Sequence, residues 1–391
     1  MRYKVYRVSP TTIEEANLVN SFENDENFDF WVDIRSLDEP AEIMVSPIAQ
    51  EYFEETLRQN GVDYIVSVYN VAEIITQAES RAKQTRVARG NVTFSEFMRH
   101  DEIIAYLRQL EVDYPDILKT EVIGRSFEGR DLLLVRISSG GSTTNKPTIF
   151  AEATIHAREW IAPPMALYII NQLVENPENA NMYQDIDWAI IPVLNPDGYE
   201  YTHTAERFWR KTRTPGTICY GVDGNRNFAA KWGETGSNNW QCSNTYAGHR
   251  VFSEPETQAV SSYIASHKDE IKLYIDIHSF GRWLLYPYGY TNEDADNVDE
   301  LRALGQLFND AVYEVRGLNY TVVSFVNGLY YASGTSVDWV KEIGIDLAYT
   351  LELPAGGTGF DPPEEDIQPV VQETWEGFKA FHSYIQSKFV N

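Results

Sequence analysis

Basic residues are scarce in this chain: 32 Lys and Arg stand against 58 Asp and Glu, for a net charge of −26. A nucleic-acid surface needs a basic footprint, and this balance excludes one. Long hydrophobic runs are missing too. No stretch approaches the roughly 20 consecutive apolar residues that a membrane-spanning helix requires. Met1-Arg2-Tyr3-Lys4 leads into alternation rather than an apolar segment, so secretion would mean a signal peptide already removed. Cysteine is limited to Cys219 and Cys242, and neither Cys nor His occurs before residue 100. The first quarter of the chain therefore offers little for metal binding or nucleophilic chemistry. There is no internal repeat and no low-complexity tract.

What is present is a globular composition, 43% hydrophobic over 391 residues, long enough for one or two domains with a large core. The pattern through residue 78 is self-contained. Tyr3 to Val8 alternates as a strand, and Thr11 to Phe22 reads as a helix. Phe28 to Ile34 and Glu42 to Val45 read as strands, Ile48 to Gln59 as an amphipathic helix, and Asp63 to Tyr69 as a last strand. That βαββαβ order is the ferredoxin-like arrangement. Residues 79–90 then carry Arg81, Lys83, Arg86 and Arg89 without an apolar face, a segment suited to a trypsin-like protease. From residue 91 to 391, strands and helices alternate as one α/β domain. Cys219 and Cys242 are either two buried thiols or a disulfide; their Gly/Ser/Asn-rich loop favours the disulfide, and with it an oxidising compartment. The sequons at Asn91 and Asn319 are compatible with secretion.

His156-Ala157-Arg158-Glu159 places a histidine and a carboxylate three residues apart, able to turn toward one metal. HxxE alone is weak, and an exposed helix turn would explain it equally well. Position strengthens it. His156 follows the strand Thr148 to Ile155 and precedes an apolar helix, Trp160 to Leu173, that starts around Pro163-Pro164. His278 ends a second strand, Leu273 to Ile277. Two imidazoles and one carboxylate make a three-ligand zinc set with a coordination position left for water. Two more strands finish similarly: Trp188 to Leu194 at Asn195-Pro196-Asp197-Gly198, and Ile345 to Leu351 at Glu352. Ligands of open α/β sheets bind outside the carboxyl ends of strands, so these four ends are expected on one rim.

With those residues in order, and with Trp209-Arg210-Lys211-Thr212-Arg213, Gly221-Val222-Asp223-Gly224-Asn225-Arg226-Asn227-Phe228 and Thr350-Leu351-Glu352-Leu353 between and after them, the chain resembles the zinc metallocarboxypeptidases of the pancreatic A/B type, in pro-enzyme form, over nearly its whole length. The resemblance implies a catalytic domain with a mixed central sheet flanked by helices, preceded by a removable propeptide. It implies one zinc ion on His156, Glu159 and His278, and Glu352 as the base that takes a proton from the zinc-bound water. Arg210 would stabilise the developing oxyanion, and Asp223 would orient the first zinc histidine. Asn225, Arg226 and Tyr330 would hold the substrate's terminal carboxylate, with Arg158 as a further substrate contact. A planar guanidinium grips a carboxylate with two parallel bonds, which lysine cannot reproduce.

Substrate preference rests on the pocket base, which falls on Val337, with Asp338 adjacent. Leu285, Gly289, Phe325, Ala332 and Thr350 match other pocket positions and add no anion. A cationic side chain would be left desolvated and unpaired there, so aromatic or aliphatic C-terminal residues are expected; a one-residue shift bringing Asp338 inward would reverse this toward Lys and Arg. Thr335 stands where glycine is frequent, and Phe280 where a tyrosine hydroxyl is common. The implied protein is a secreted monomer acting on peptides through their free C-termini and activated by a trypsin-like protease at Arg86 or Arg89. A non-catalytic zinc- or peptide-binding relative, and a zinc deacylase on the same fold, fit the residues less well. The first would lack Glu352 or a ligand, and the second would not need Asn225, Arg226 and Tyr330 together.

Overall fold

The computed structural model describes residues 2–23, 25, 27–34, 37, 40–73, 92, 94–140, 146–354, 356–357 and 359–390. Arg86, Arg89, the rest of the connecting segment 79–90 and the sequon residue Asn91 lie outside the described residues.

The N-terminal body runs β1 (Lys4–Ser9), helix Ile13–Asn20, β2 (Phe28–Val32), β3 (Ala41–Val45), helix Gln50–Gln59 and β4 (Asp63–Val68). Its four strands lie in the order β2-β3-β1-β4, all antiparallel. The element order is the expected βαββαβ, with ends shifted by one or two residues. Thr12 explains one such shift: as the N-cap its hydroxyl accepts from the Glu15 amide, so the first helix starts at Ile13, two positions later. Alternation along β1 sends Tyr6 and Val8 into a core with Ile43, Val45, Phe53 and Leu57.

The second body is built on an eight-stranded mixed sheet: β5 (Leu118–Arg125), β6 (Asp131–Ile137), β7 (Thr148–Ala153), β8 (Asp187–Ile191), β9 (Ile271–Ser279), β10 (Trp283–Tyr286), β11 (Thr321–Ser324) and β12 (Ala348–Leu353). Their order is β11-β10-β12-β9-β7-β8-β6-β5, and β12, β9, β7 and β8 pair in parallel. These four read as near-continuous apolar runs because helices cover both faces. Ala162–Val174, Val298–Arg316 and Ile367–Phe389 share one core with one face, while Pro255–His267 and Ser336–Glu342 pack on the other. The chain goes from β7 to β8 on one side and returns to β9 on the other. That reversal opens a crevice at the carboxyl ends of β7 and β9, and ligands of α/β sheets bind in such crevices.

Two expectations about local structure change. Pro163 and Pro164 do not delay the helix; they sit inside its first turn, where a missing N–H costs no intrahelical bond. Asn195-Pro196-Asp197-Gly198 is not a rim turn but the capped start of helix Pro196–Thr204. Asn195 accepts from the Gly198 amide and donates to the carbonyls of Ile155 and Lys211. Asp197 accepts from Ser126, the Glu128 amide and Arg130. Both side chains are used up holding loops together. Three strand ends, not four, meet at the crevice.

Candidate active site

His156 lies beyond the end of β7, after a sharp bend at Thr154, whose φ of +66° is unusual for a β-branched residue. The Thr154 hydroxyl secures that bend by donating to the Pro192 carbonyl at 3.0 Å. Glu159 follows in the turn that leads into helix Ala162–Val174, so its carboxylate points back at His156. His278 is the penultimate residue of β9 and stands beside Glu352 of β12 in the parallel ladder. Adjacent positions on neighbouring strands present their side chains to the same face, which brings Glu352 next to the histidine pair.

Glu159 joins the two imidazoles. Its Oε1 is 2.8 Å from His156 Nδ1, and its Oε2 is 3.0 Å from His278 Nδ1. The ligand atoms of the three lie within 4.8 Å of one another, and all three residues are buried. Burial alone would raise the Glu159 carboxyl, but the two histidines hold it well below the usual carboxylate range. Two ring nitrogens and a carboxylate converging on one dry point is the donor set of a zinc site, and the residues fit that ion.

Each histidine is held from behind by a second carboxylate. His156 Nε2 is 2.9 Å from Asp223 Oδ1, and the other oxygen of Asp223 accepts from Arg210 Nε at 3.1 Å and Nη2 at 2.9 Å. Burial works against ionising Asp223, yet Arg210 and His156 keep it well below its usual range. His278 Nε2 is 2.9 Å from Asp276 Oδ2. Sequence reasoning missed Asp276, although its position two residues before His278 in a strand puts it on the same face.

Around this centre the expected substrate contacts assemble. Asn225 Oδ1 accepts from the Ser336 amide at 2.8 Å, and its Nδ2 lies 3.2 Å from His278 Nε2. Arg226 donates from Nε to the Gly236 carbonyl and from Nη1 to the Asn225 carbonyl, while Nη2 meets the Tyr330 hydroxyl at 3.2 Å. Gly334, at φ +73°, lets the chain pass directly over the Arg226 carbonyl, where a Cβ would collide. Val337 is fully buried in an apolar cluster with Leu285, Phe325, Leu329 and Ala332. Thr350 is buried beside them in β12, its hydroxyl without a hydrogen-bond partner. Asp338 turns to the backbone, accepting from the amides of Gly289 at 2.9 Å and Tyr290 at 3.3 Å, and burial pushes it up to about 7. Thr335 caps the helix that carries both residues.

The N-terminal body closes this crevice. Asp29 sits with its two oxygens 3.0 and 2.9 Å from Arg158 Nη1 and also accepts from Asn244. Trp31 packs on Phe208 with ring centroids 4.6 Å apart, and on Phe360 at 5.9 Å. Val5, Val68 and Val71 complete that apolar seam. Phe280, at the position where a tyrosine hydroxyl is common, packs edge-on against Phe360 with ring centroids 4.8 Å apart. A cavity of about 470 Å³ remains between the bodies, with Glu23, Asp29 and Asp33 on one wall and Arg158, Arg210 and Arg226 on the other. Buried Arg207 was also missed; its guanidinium lies 3.6 Å over the Trp160 ring and donates to the carbonyls of Arg158 and Phe360, stapling this wall. Cys219 and Cys242 are joined in a disulfide on the same rim.

Known proteins share this arrangement. Residues 103–377 match the zinc carboxypeptidase family, and residues 6–78 match the carboxypeptidase activation peptide. Zinc carboxypeptidase A 1 of Drosophila melanogaster is 33% identical over 98% of this chain and 92% of its own length. Carboxypeptidase B of Astacus astacus is 40% identical over 74% of this chain and 97% of its own. The crystal structure of carboxypeptidase A from Helicoverpa armigera superposes with a TM-score of 0.93 at 34% identity, covering 99% of this chain and 98% of that one.

Proposed function

Since the chain belongs to the zinc carboxypeptidase family and carries that family's activation peptide, we propose that it is the secreted, monomeric zymogen of an A-type enzyme, releasing aromatic or aliphatic residues from the C-termini of peptides. The observation that carries this specificity is the apolar pocket base. Val337 faces the cluster of Leu285, Phe325, Leu329 and Ala332, while the Asp338 carboxylate is spent on two backbone amides. A lysine or arginine side chain would enter that pocket desolvated and without a counter-charge, at a cost of several kcal/mol. The disulfide favours an oxidising compartment and hence secretion.

His156, Glu159 and His278 would hold the zinc, with Asp223 orienting His156. When bound, zinc polarises the scissile carbonyl and acidifies a water molecule. The Glu352 carboxylate receives the proton of the attacking water and delivers it to the leaving amine. Arg210 is anchored to Asp223 through Nε and Nη2, so its Nη1 is the donor aimed at the developing oxyanion. The substrate's terminal carboxylate takes the place of the Tyr330 hydroxyl at Arg226 Nη2, with Asn225 and Tyr330 as further donors. Arg158 binds a residue further along the peptide, and in the zymogen Asp29 occupies it. Residues 1–78 thus act as a plug, the segment 79–90 as the connector cut near Arg86 or Arg89, and residues 91–391 as the enzyme.

A second reading, B-type preference for Lys and Arg, is favoured by the relatives named carboxypeptidase B, at 35% identity in Helicoverpa zea and 34% in Rattus norvegicus. Release of C-terminal phenylalanine and arginine from matched blocked dipeptides decides, measured before and after trypsin and with and without a zinc chelator. Trypsin-dependent, chelator-sensitive release of phenylalanine is the expected result. Release of arginine instead overturns the A-type assignment, and release of neither from the zinc-loaded, cleaved protein overturns the enzymatic one.

A further inference from the structure

The two zinc histidines are not backed in the same way. Behind His156, Asp223 shares its charge with Arg210. Behind His278, Asp276 is fully buried and, among the described residues, pairs with no Lys or Arg. Strand alternation puts Asp276 and His278 on one face of β9, between Glu152 of β7 and Thr350 of β12 in the same row.

Two groups reach His278 Nε2: Asp276 Oδ2 at 2.9 Å and Asn225 Nδ2 at 3.2 Å. Since Nδ1 faces Glu159 and the metal point, Nε2 carries the ring proton and needs an acceptor. An amide nitrogen cannot accept, and the amide oxygen of Asn225 is engaged by the Ser336 amide. The bond therefore goes to Asp276, and Asn225 Nδ2 stays available for substrate. Ser336 Oγ donates to the same Asp276 oxygen at 2.6 Å, fixing the carboxylate in place. Glu152 is the remaining neighbour, and Tyr274 donates to it at 2.6 Å. Burial and Asp276 push the Glu152 carboxyl well above its usual range.

We propose that Asp276 is a positioning residue for zinc: pinned by Ser336 and lacking a cationic partner, it fixes the tautomer of His278 and strengthens that imidazole as a ligand. The inference deepens the zinc-peptidase reading and rests on it.

The test is zinc affinity of the full-length protein, measured by competition with a chelator of known affinity. The visible absorption of the cobalt-substituted protein serves as a second readout, and the melting temperature of the metal-free form as a check on folding. Asp276→Asn is expected to raise the zinc Kd about 10- to 100-fold and shift the cobalt bands, with the metal-free protein melting as the wild type does. Ser336→Ala, which only frees the carboxylate to turn, is expected to raise Kd a few-fold. Zinc affinity in both variants within about twofold of wild type overturns the proposal, being far below the effect of losing an outer-shell partner. If Asp276→Asn fails to fold, Ser336→Ala decides alone on the same criterion. Failure of the wild type to bind zinc would overturn the functional reading, and this inference with it.

Discussion

The N-terminal body and the zinc-binding body solve burial in opposite ways. Among the described residues before the connector, Glu42 is the one buried charged side chain, and Arg7 neutralises it at 2.7 Å. The second body buries Glu152, Glu159, Asp223 and Asp276 at 0–2% exposure within two strand ends of one another. Burying carboxylates is costly unless each has a hydrogen-bonded partner, and a fold does not accumulate them for stability. Their concentration marks where chemistry is done. The small body has a generic apolar core, and its specific features, Asp29 and Trp31, lie on the surface that meets the crevice. It is a stopper whose fold is separate from its purpose.

That contrast is broken most severely by Glu352→Gln. The cleaved enzyme should lose about 10²- to 10⁴-fold in kcat while keeping its zinc, as read by steady-state kinetics alongside metal analysis. Asp29→Ala addresses the stopper. It leaves the buried Arg158 guanidinium unpaired at the interface, which should weaken docking by about 3 kcal/mol. Raised activity of the uncleaved protein and faster activation by trypsin would report it; unchanged activity would mean that the apolar seam around Trp31 suffices. Val337→Asp sharpens the specificity side. Arginine release should rise and phenylalanine release fall, each by about tenfold or more, in paired kcat/KM measurements.

The last effect is on stability alone and concerns a buried carboxylate outside the site. Glu256, in the first turn of helix Pro255–His267, is 1% exposed, and its oxygens find no hydrogen-bond partner beyond its own backbone amide. Burial pushes it up from an ordinary 4.5 to about 8. The folded protein then holds a proton that the unfolded chain releases, so this group's stabilisation is complete below about 4.5 and lost as pH rises to about 8. Glu256→Gln should flatten that decline, removing a slope of up to about 1.4 kcal/mol per pH unit from urea melts across the window.

Much of the site was legible because its chemistry is encoded locally. A histidine and a glutamate three apart just beyond one strand, with a second histidine at the end of another, already define most of a metal site. Alternation located the strands to within one to three residues, as in Tyr3 to Val8 against Lys4–Ser9 and Ile345 to Leu351 against Ala348–Leu353. Asn195 and Asp197 misled for a physical reason. A strand followed by Asn-Pro-Asp-Gly reads the same whether its polar groups face a ligand or the carbonyls of Ile155 and Lys211. Arg207 left no signal, since an arginine in a loop looks exposed until Trp160 is found beneath it.

The sequence by itself determined which residue types carry the chemistry and the intervals between those that are near in the chain, because a turn or a strand imposes its own geometry on its side chains. Tertiary structure alone decided the pairings over long distances that no motif names: Asp29 with Arg158 across 129 positions, and Arg207 with the Phe360 carbonyl across 153. Those contacts follow from strand order and from how one body docks on another. Many residues far apart in the chain must be placed together before any single pair can meet, and no local interval records that outcome.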